Sequence, residues 1–125
     1  MTPVARFLIH IHSGPAAPNT VTLGAFIAAT AAAEGHAVTL FLAGDAVACL
    51  APDTLPRLEG LGTGRLADHL RALGRAGGTL RVSRLSSEAR GLTPDLLQDL
   101  GLPASFAAPT DLVALAAEAD TVLCY

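Results

Sequence analysis

The stretch RFLIHIHSGPAAPNTVTLGAFIAATAAAEGHAVTLFLAGD, residues 6–45, contains a strand, a helix and a second strand in succession. Residues 6–12 are rich in β-branched and aromatic side chains and run into Ser-Gly-Pro at 13–15, which predicts a strand and then a loop. A helix is predicted from Asn19, a good N-cap residue, to Gly35, a common helix-ending residue. Residues 37–43 are almost continuously apolar, as in a strand covered on both faces. This order predicts a βαβ unit with parallel strands and a right-handed crossover.

The alternation of strands and helices continues to residue 125. It predicts a three-layer α/β/α fold with a mostly parallel sheet of about five strands, and one domain over residues 1–125. The remaining predicted elements are a short apolar turn at 46–50, an exposed loop at 52–64, an amphipathic helix at 65–76, a strand at 79–83, a polar turn at 84–91, a helix with Thr93 as N-cap and Pro94 at its first position, a short strand at 105–107, a helix from Thr110 or Asp111 through Glu118, and a strand at 121–125.

Composition narrows the classes of partner. Hydrophobic residues make up 51% of the chain and charged residues 15%, which is typical of a folded domain. The net charge is −3, and the basic residues are all Arg and form no run. Nucleic acids and anionic membranes need clustered cations, so neither is an expected partner. Residues 13–33 carry no charge but include two prolines and many alanines, so they do not read as a membrane span.

The two cysteines, Cys49 and Cys124, are far apart in a chain without a signal-peptide layout. That usage predicts a reducing, cytoplasmic location without a disulfide framework. Cys49 is predicted on a short helix near the strand ends, where it either approaches the site or is buried and inert. Cys124 lies within the terminal strand and is predicted to be part of the core.

One face of the first predicted helix consists of small, uncharged side chains. Leu23, Phe26, Ile27 and Thr30 have the spacing of a core stripe, which leaves Thr22, Ala25, Ala29 and Ala32 on the opposite face. A helix that is apolar all round is usually buried all round, so this small face predicts a homo-oligomer formed through the first helix. The alternative interpretation is an alanine-rich exposed surface.

The predicted strand ends carry the residues suited to chemistry. Ligands of open α/β sheets lie beyond the carboxyl ends of the strands. His12, Ser13 and Gly14 follow the first strand, Asp45 the second, and Ser83 and Arg90 the third. This set predicts a site for a small polar or anionic ligand. Arg90 and Arg84 are candidates to clamp an anion, with hydrogen bonding to turn carbonyls or solvation as the alternatives, and Asp45 is predicted to cap the following helix.

Two histidines give a further candidate, a metal site. His10 and His12 are two residues apart on a strand and therefore share one face, a spacing at which two side chains can bind one metal ion. Only Asp45 lies near enough in sequence order to add a ligand, so we predict structural histidines and no metal. No glycine-rich nucleotide loop follows a strand, and no cofactor is expected.

Several motifs occur together in an order that resembles a known family. They are Ser-Gly-Pro before the first helix, Glu-Gly-His-x-Val-Thr-Leu-Phe at 34–41, Gly-Asp-x-Val at 44–47, Ala-Arg-Gly-Leu at 89–92 and Leu-x-x-x-Ala-Asp-x-Val-Leu at 115–123. Their order is similar to that of the DsrE/DsrF (YchN-like) family of small sulfur-relay and related cytosolic proteins. The resemblance implies a three-layer α/β/α fold and assembly into trimers or hexamers.

The resemblance also implies a cysteine at the end of the third strand in members active in sulfur relay, and here that position is Ser83. A hydroxyl cannot hold a persulfide, because transfer needs a sulfur nucleophile. The favoured hypothesis is therefore a non-enzymatic module that binds a small anionic or sulfur-containing ligand, or a protein partner such as a sulfur-relay protein. The alternative is a sulfur-transfer or redox protein that uses a displaced nucleophile, Cys49 or Ser83.

Overall fold

A computed structural model describes residues 4–125 of the chain. Five strands form one sheet in which every neighbouring pair is parallel: β1 (Arg6–Ile11), β2 (Ala37–Leu42), β5 (Thr79–Ser83), β6 (Ala104–Ala107) and β7 (Thr121–Cys124). Their order across the sheet is β6-β5-β2-β1-β7. The two-residue strands β3 (Glu59–Gly60) and β4 (Gly64–Arg65) form a separate antiparallel hairpin. The mostly parallel five-stranded sheet predicted from the sequence is confirmed.

Helices cover both faces of the sheet, unequally. The α-helices are α1 (Pro18–Ala33), α2 (Leu66–Arg75), α3 (Arg84–Ala89) and α4 (Pro109–Glu118), and short 3-10 helices span Gly44–Leu50, Leu55–Arg57 and Pro94–Leu97. The large core lies where α1 and α2 pack on one face. On the other face a smaller cluster of Leu8, Phe41 and Ala107 packs against α4 and the flanking residues Ala43 and Ala119. Within residues 4–125, no helix combines the length and hydropathy needed to cross a bilayer.

Three connecting segments differ from their predictions, the first being 52–64, predicted as an exposed loop, which contains the 3-10 helix Leu55–Arg57, strand β3 and buried Leu58. The predicted polar turn at 84–91 is mostly helix α3, because the Ser83 hydroxyl accepts a hydrogen bond from the Ser86 amide at 3.1 Å and caps its first turn. The helix predicted from Thr93 is only the short 3-10 helix Pro94–Leu97. Two left-handed residues, Asp99 at φ 58° and Gly101 at φ 85°, turn the chain toward β6 and prevent a longer helix.

The side of α1 that faces the core is the reverse of the predicted one. Thr22, Ala25, Ala29 and Ala32, predicted to meet another subunit, are buried within the chain, whereas Leu23 and Phe26 are 39% and 44% exposed. Helix α1 has apolar side chains on every side, so their spacing in the sequence does not indicate which side faces the sheet.

Close packing explains the choice of face. A Cβ placed on Gly24 would lie 2.8 Å from Ile11 Cδ1, and Thr22 Oγ1 shares a 2.6 Å hydrogen bond with Thr63 Oγ1 beside the β3–β4 hairpin. Only small side chains fit at this separation. The expectation that the small face meets another subunit is therefore wrong.

This packing gives a stability prediction. Replacing Ala28, which is fully buried in α1, with Leu should lower the free energy of unfolding by about 1–3 kcal/mol, because extra methylenes have no space beside the sheet. Ala33→Leu, an exposed substitution in the same helix, is the matched control and should change it by less than about 0.5 kcal/mol. Urea unfolding of both variants measures the difference, and equal losses would contradict the close-packed interface.

Candidate functional site

The carboxyl ends of β1, β2 and β5 bring most of the predicted site residues to one edge of the sheet. Gly14, just after β1, touches the start of the segment after β2, since a Cβ placed on Gly14 would lie 2.7 Å from Asp45 Cβ and 2.9 Å from Asp45 O. Asp45 in turn contacts Arg90, which follows α3. Position 14 therefore requires glycine for a close approach between two loops, and that approach joins the ends of the first two strands.

A hydrogen-bonded network centred on Ser86 joins the third strand to this edge. Ser86 Oγ accepts from the Gly44 amide at 2.9 Å, and the Ser86 amide donates to Ser83 Oγ at 3.1 Å. Arg90 Nη1 donates to Ser86 O at 3.0 Å, while Arg90 Nη2 lies 2.7 Å from Asp45 Oδ1. The hydroxyl of Ser83 is thus part of a helix cap, and the guanidinium of Arg90 bridges the second and third strand ends.

The roles predicted for the charged residues need revision. Asp45 does not cap the 3-10 helix Gly44–Leu50, whose N-cap is Ala43 with no side-chain hydrogen bond; it pairs with Arg90 instead. Arg90 bonds both a turn carbonyl and this carboxylate. The guanidinium of Arg84 lies 5.1 Å from the centre of the Phe106 ring, in cation–π geometry, so it does not share the contacts of Arg90.

The remaining predicted site residues lie at the β1 end of the same edge. His12 is exposed, and its amide donates to Tyr125 O at 3.0 Å, which ties the chain after β1 to the end of β7. Ser13 is half-buried and directly precedes Gly14. The side chain of His12 sits beside that of His10, and no hydrogen bond joins it to Asp45 or Arg90 within residues 4–125.

The two histidine rings lie together, with centroids 5.7 Å apart, and His10 also meets Phe41 edge-on at 5.8 Å. Burial, together with the nearby charge of His12, lowers the pKa of His10. Its Nε2 atom is buried and has no hydrogen-bond partner among residues 4–125. Across the same residues, no three His, Cys, Asp or Glu side chains are grouped as a metal site requires.

The two thiols have opposite environments. Cys49 is fully buried in the large core, and burial raises the pKa of its thiol to about 12. Cys124, predicted to be in the core, is exposed. It lies on the edge strand β7, beside His10 in register, where α4 does not cover the sheet. Val122 and Cys124 are exposed and Leu123 is half-buried, as on an edge strand with one open face, but the apolar run Val-Leu-Cys in the sequence carried no signal of this.

Fold and site together define a class of protein: a small three-layer α/β/α protein with a parallel sheet and a cluster of polar residues at its strand carboxyl ends. The sequence model of the DsrE/DsrF-like family matches residues 5–125, and the chain belongs to that family. This confirms the family resemblance carried by the motifs.

Solved structures agree on the fold. The crystal structure of the ychN protein from E. coli is similar over 98% of this chain and 100% of its own, with a TM-score of 0.75 and 18% identity. A conserved protein of unknown function from Bacteroides thetaiotaomicron, BT1422, is similar over 97% of this chain and 95% of its own, with a TM-score of 0.69 and 14% identity. No curated protein matches this chain.

The thiol environments give a labelling prediction. At pH 8 a thiol with a pKa of about 12 is ionised in only about one molecule in ten thousand, so Cys49 should resist iodoacetamide in the folded protein while exposed Cys124 is alkylated. Peptide mass spectrometry locates the adducts. In 6 M guanidinium chloride both cysteines should react at similar rates, which controls for peptide detection. Alkylation of Cys49 in the folded state at a rate near that of Cys124 would contradict the buried placement.

Proposed function

We propose that this protein is an oligomeric DsrE-like module that binds a small anionic or sulfur-containing ligand at the carboxyl ends of its strands, without transferring sulfur through position 83. The ion pair between Arg90 and Asp45 is the observation that carries the proposal. Arg90 is the cation at the junction of two strand ends, held in place by its bond to Ser86 O. A preorganised guanidinium of this kind favours a bidentate anion.

The partner that Arg90 now holds is weak enough to be displaced. The Asp45 side chain is 76% exposed and that of Arg90 33% exposed, and ion pairs with this much solvent contribute about 0–1 kcal/mol. An oxyanion that offers two oxygens to the guanidinium would gain more than the single contact with Asp45 Oδ1. Asp45 then acts as an internal competitor, so that only anions with good geometry bind.

Position 83 supports binding rather than turnover. The Ser83 hydroxyl is committed to the Ser86 amide, and the Ser87 hydroxyl donates to Ser83 O at 2.8 Å, so the side chain serves as a helix cap. Within residues 4–125 no base is hydrogen-bonded to this hydroxyl, and oxygen cannot form a persulfide. A sulfur-relay protein that docks at the same edge is the corresponding protein partner, and it would meet Arg90 and Asp45 there.

A sulfur-transfer or redox function would have to use one of the two cysteines. Cys49, the nucleophile favoured for this alternative, is buried and its pKa is raised, so its thiolate is scarce at neutral pH. Cys124 is the accessible thiol, but it lies on β7 and Ser83 lies on β5, with β1 and β2 between them. Three strand spacings of about 4.8 Å place them about 14 Å apart, so Cys124 does not take the place of a thiol at position 83.

Thiosulfate, a small anion that contains sulfane sulfur, tests the ligand proposal. Increasing concentrations should raise the melting temperature of the protein saturably, because the anion binds only the folded state. Arg90→Gln should abolish the shift, and Asp45→Asn should increase the affinity several-fold by removing the internal competitor. Arg75→Gln, which removes a cation from the far end of α2, is the control. An unchanged response in Arg90→Gln would contradict the proposal, and sulfate in parallel shows whether sulfane sulfur matters.

We also infer that copies of the chain associate through the exposed face of α1, to form the homo-oligomer expected of the family. Helix α1 carries no charged residue over its sixteen positions. Leu23 and Phe26 are exposed on it, and Leu61, 89% exposed at the tip of the β3–β4 hairpin, lies next to the start of the helix because its amide donates to Asn19 Oδ1 at 2.8 Å. His69 stacks on Phe26 at 5.0 Å and extends this apolar patch. Uncharged helices with exposed large side chains are typical of protein interfaces.

Light scattering after size exclusion tests this surface. The protein should have a molar mass of three or six times the 12.7 kDa of one chain, and the double variant Leu23→Ser, Phe26→Ser should shift it toward the monomer, since the association depends on burying these side chains. Val113→Ser removes an apolar side chain from α4 that is more exposed than either, at 70%, and should leave the mass unchanged. A monomeric unmodified protein would contradict the inference, as would an oligomer that the double variant leaves intact.

We propose a reducing cytoplasmic location for this protein, and its two free cysteines, one buried and one exposed, fit that location.

A further inference from the structure

A cavity of about 450 Å³ opens at the amino ends of β1, β2 and β5, on the sheet face that α4 covers. It lies at the opposite end of the strands from Arg90 and Asp45. The six residues of β1 rise about 3.3 Å each, so roughly 20 Å separates the two places. Volumes of about 300–1,000 Å³ are usual for small-molecule sites, and nothing in the strand-end proposal uses this cavity.

The strand register builds the floor of the cavity. Leu8 pairs with Thr39, and Thr39 pairs with Thr79, so the three side chains form one row across β1, β2 and β5. Side chains in one row of a parallel sheet share a face, and Leu8 packs toward α4. Two hydroxyls therefore stand side by side next to an aliphatic side chain, on a floor that is half polar and half apolar.

The last turn of α4 forms the wall. Leu115 and Ala119 line the cavity and also pack against the Leu8–Phe41 cluster, which fixes the helix at this height above the sheet. Helix α4 covers Leu8 and Phe41 on this face but does not extend over Thr39 and Thr79, so the floor of the cavity stays open beside the helix. An aliphatic group of a few carbons would bury its surface against Leu8, Leu115 and Ala119.

Opposite charges stand on the rim. Arg6 begins β1 and Glu118 ends α4, and both line the cavity. The three ion pairs formed among residues 4–125 include neither of them. The carboxylate of Asp120 accepts the backbone amide of Arg6 at 2.8 Å, but Asp120 does not line the cavity. The lining of the cavity thus includes one cation and one anion, together with hydroxyls and apolar surface.

We propose that this cavity binds a small zwitterion of the amino-acid class, with its carboxylate at Arg6, its ammonium group at Glu118 and its aliphatic side chain against Leu115 and Ala119. The charges select this class. A phosphate or other polyanion would face the Glu118 carboxylate, and a purely apolar ligand would bury the hydroxyls of Thr39 and Thr79 without partners. A ligand that carries both charges satisfies both sides of the rim at once.

Three related probes separate the contributions. L-leucine carries both charged groups, 4-methylpentanoate lacks the ammonium group, and leucinamide lacks the carboxylate. Titrated into the full isotope-labelled chain and followed by amide NMR, L-leucine should saturably shift the resonances of Thr39, Thr79 and Ala119. Each single-charge probe should bind at least about tenfold more weakly than L-leucine, because one charge-assisted hydrogen bond is lost.

Variants assign each charge to its partner. Arg6→Gln should weaken L-leucine about tenfold and leave leucinamide unchanged, whereas Glu118→Gln should weaken L-leucine and leave 4-methylpentanoate unchanged. Glu88→Gln, an exposed carboxylate on α3 at the other end of the sheet, is the matched control and should change nothing. The proposal is overturned if L-leucine gives no saturable shifts, if the shifts map to α3 and the strand carboxyl ends, or if both rim variants bind it as the unmodified protein does. None of these results depends on thiosulfate binding at Arg90.

Discussion

Parallel pairing of β1, β2 and β5 is the constraint on which both ends of this molecule depend. Because all the strands run the same way, every residue that follows a strand emerges at one edge, and every residue that precedes one lies at the other. At the first edge the pairing brings Asp45 within reach of Arg90 across 45 residues of sequence. At the second it places Thr39 beside Thr79. Neither the ion pair nor the row of hydroxyls is a local feature of the chain.

The Ser86 network shows how the strand-end edge keeps its shape with a hydroxyl at position 83. The Ser83 hydroxyl accepts a hydrogen bond from the Ser86 amide, and the Ser86 hydroxyl accepts one from the Gly44 amide. Both amides lie in the segments that follow β5 and β2, and this pair of bonds satisfies them. A thiol accepts hydrogen bonds more weakly than a hydroxyl does. Serine at position 83 therefore favours a rigid cap for the helix that follows β5.

The sequence predicted the order of strands and helices because that information is local: apolar runs end at glycine, proline or a cap residue, as at residues 13–15 and 35. It failed where the answer depends on the distance between elements. The face of α1 that meets the sheet is set by how closely Ile11 approaches Gly24, which no spacing of apolar residues reveals in a helix that is apolar all round. The exposure of Cys124 follows from its place on an edge strand, and strand order is a property of the whole sheet. For the site, the sequence named Asp45 and Arg90 but not their pairing.

A single helix over one face of the sheet links several of these features. Helix α4 follows β6 at one edge and precedes β7 at the other, so the chain must cross the whole face within ten helical residues. It covers the middle, at Leu8, Phe41 and Ala107, and leaves both ends of that face thinly covered. One uncovered end holds Cys124 next to His10, and the other holds the cavity above Thr39 and Thr79. On the opposite face, α1 and α2 pack small and aliphatic side chains against the sheet. The half-buried polar residues His10, Thr39 and Thr79 thus lie where this face lacks a second covering helix.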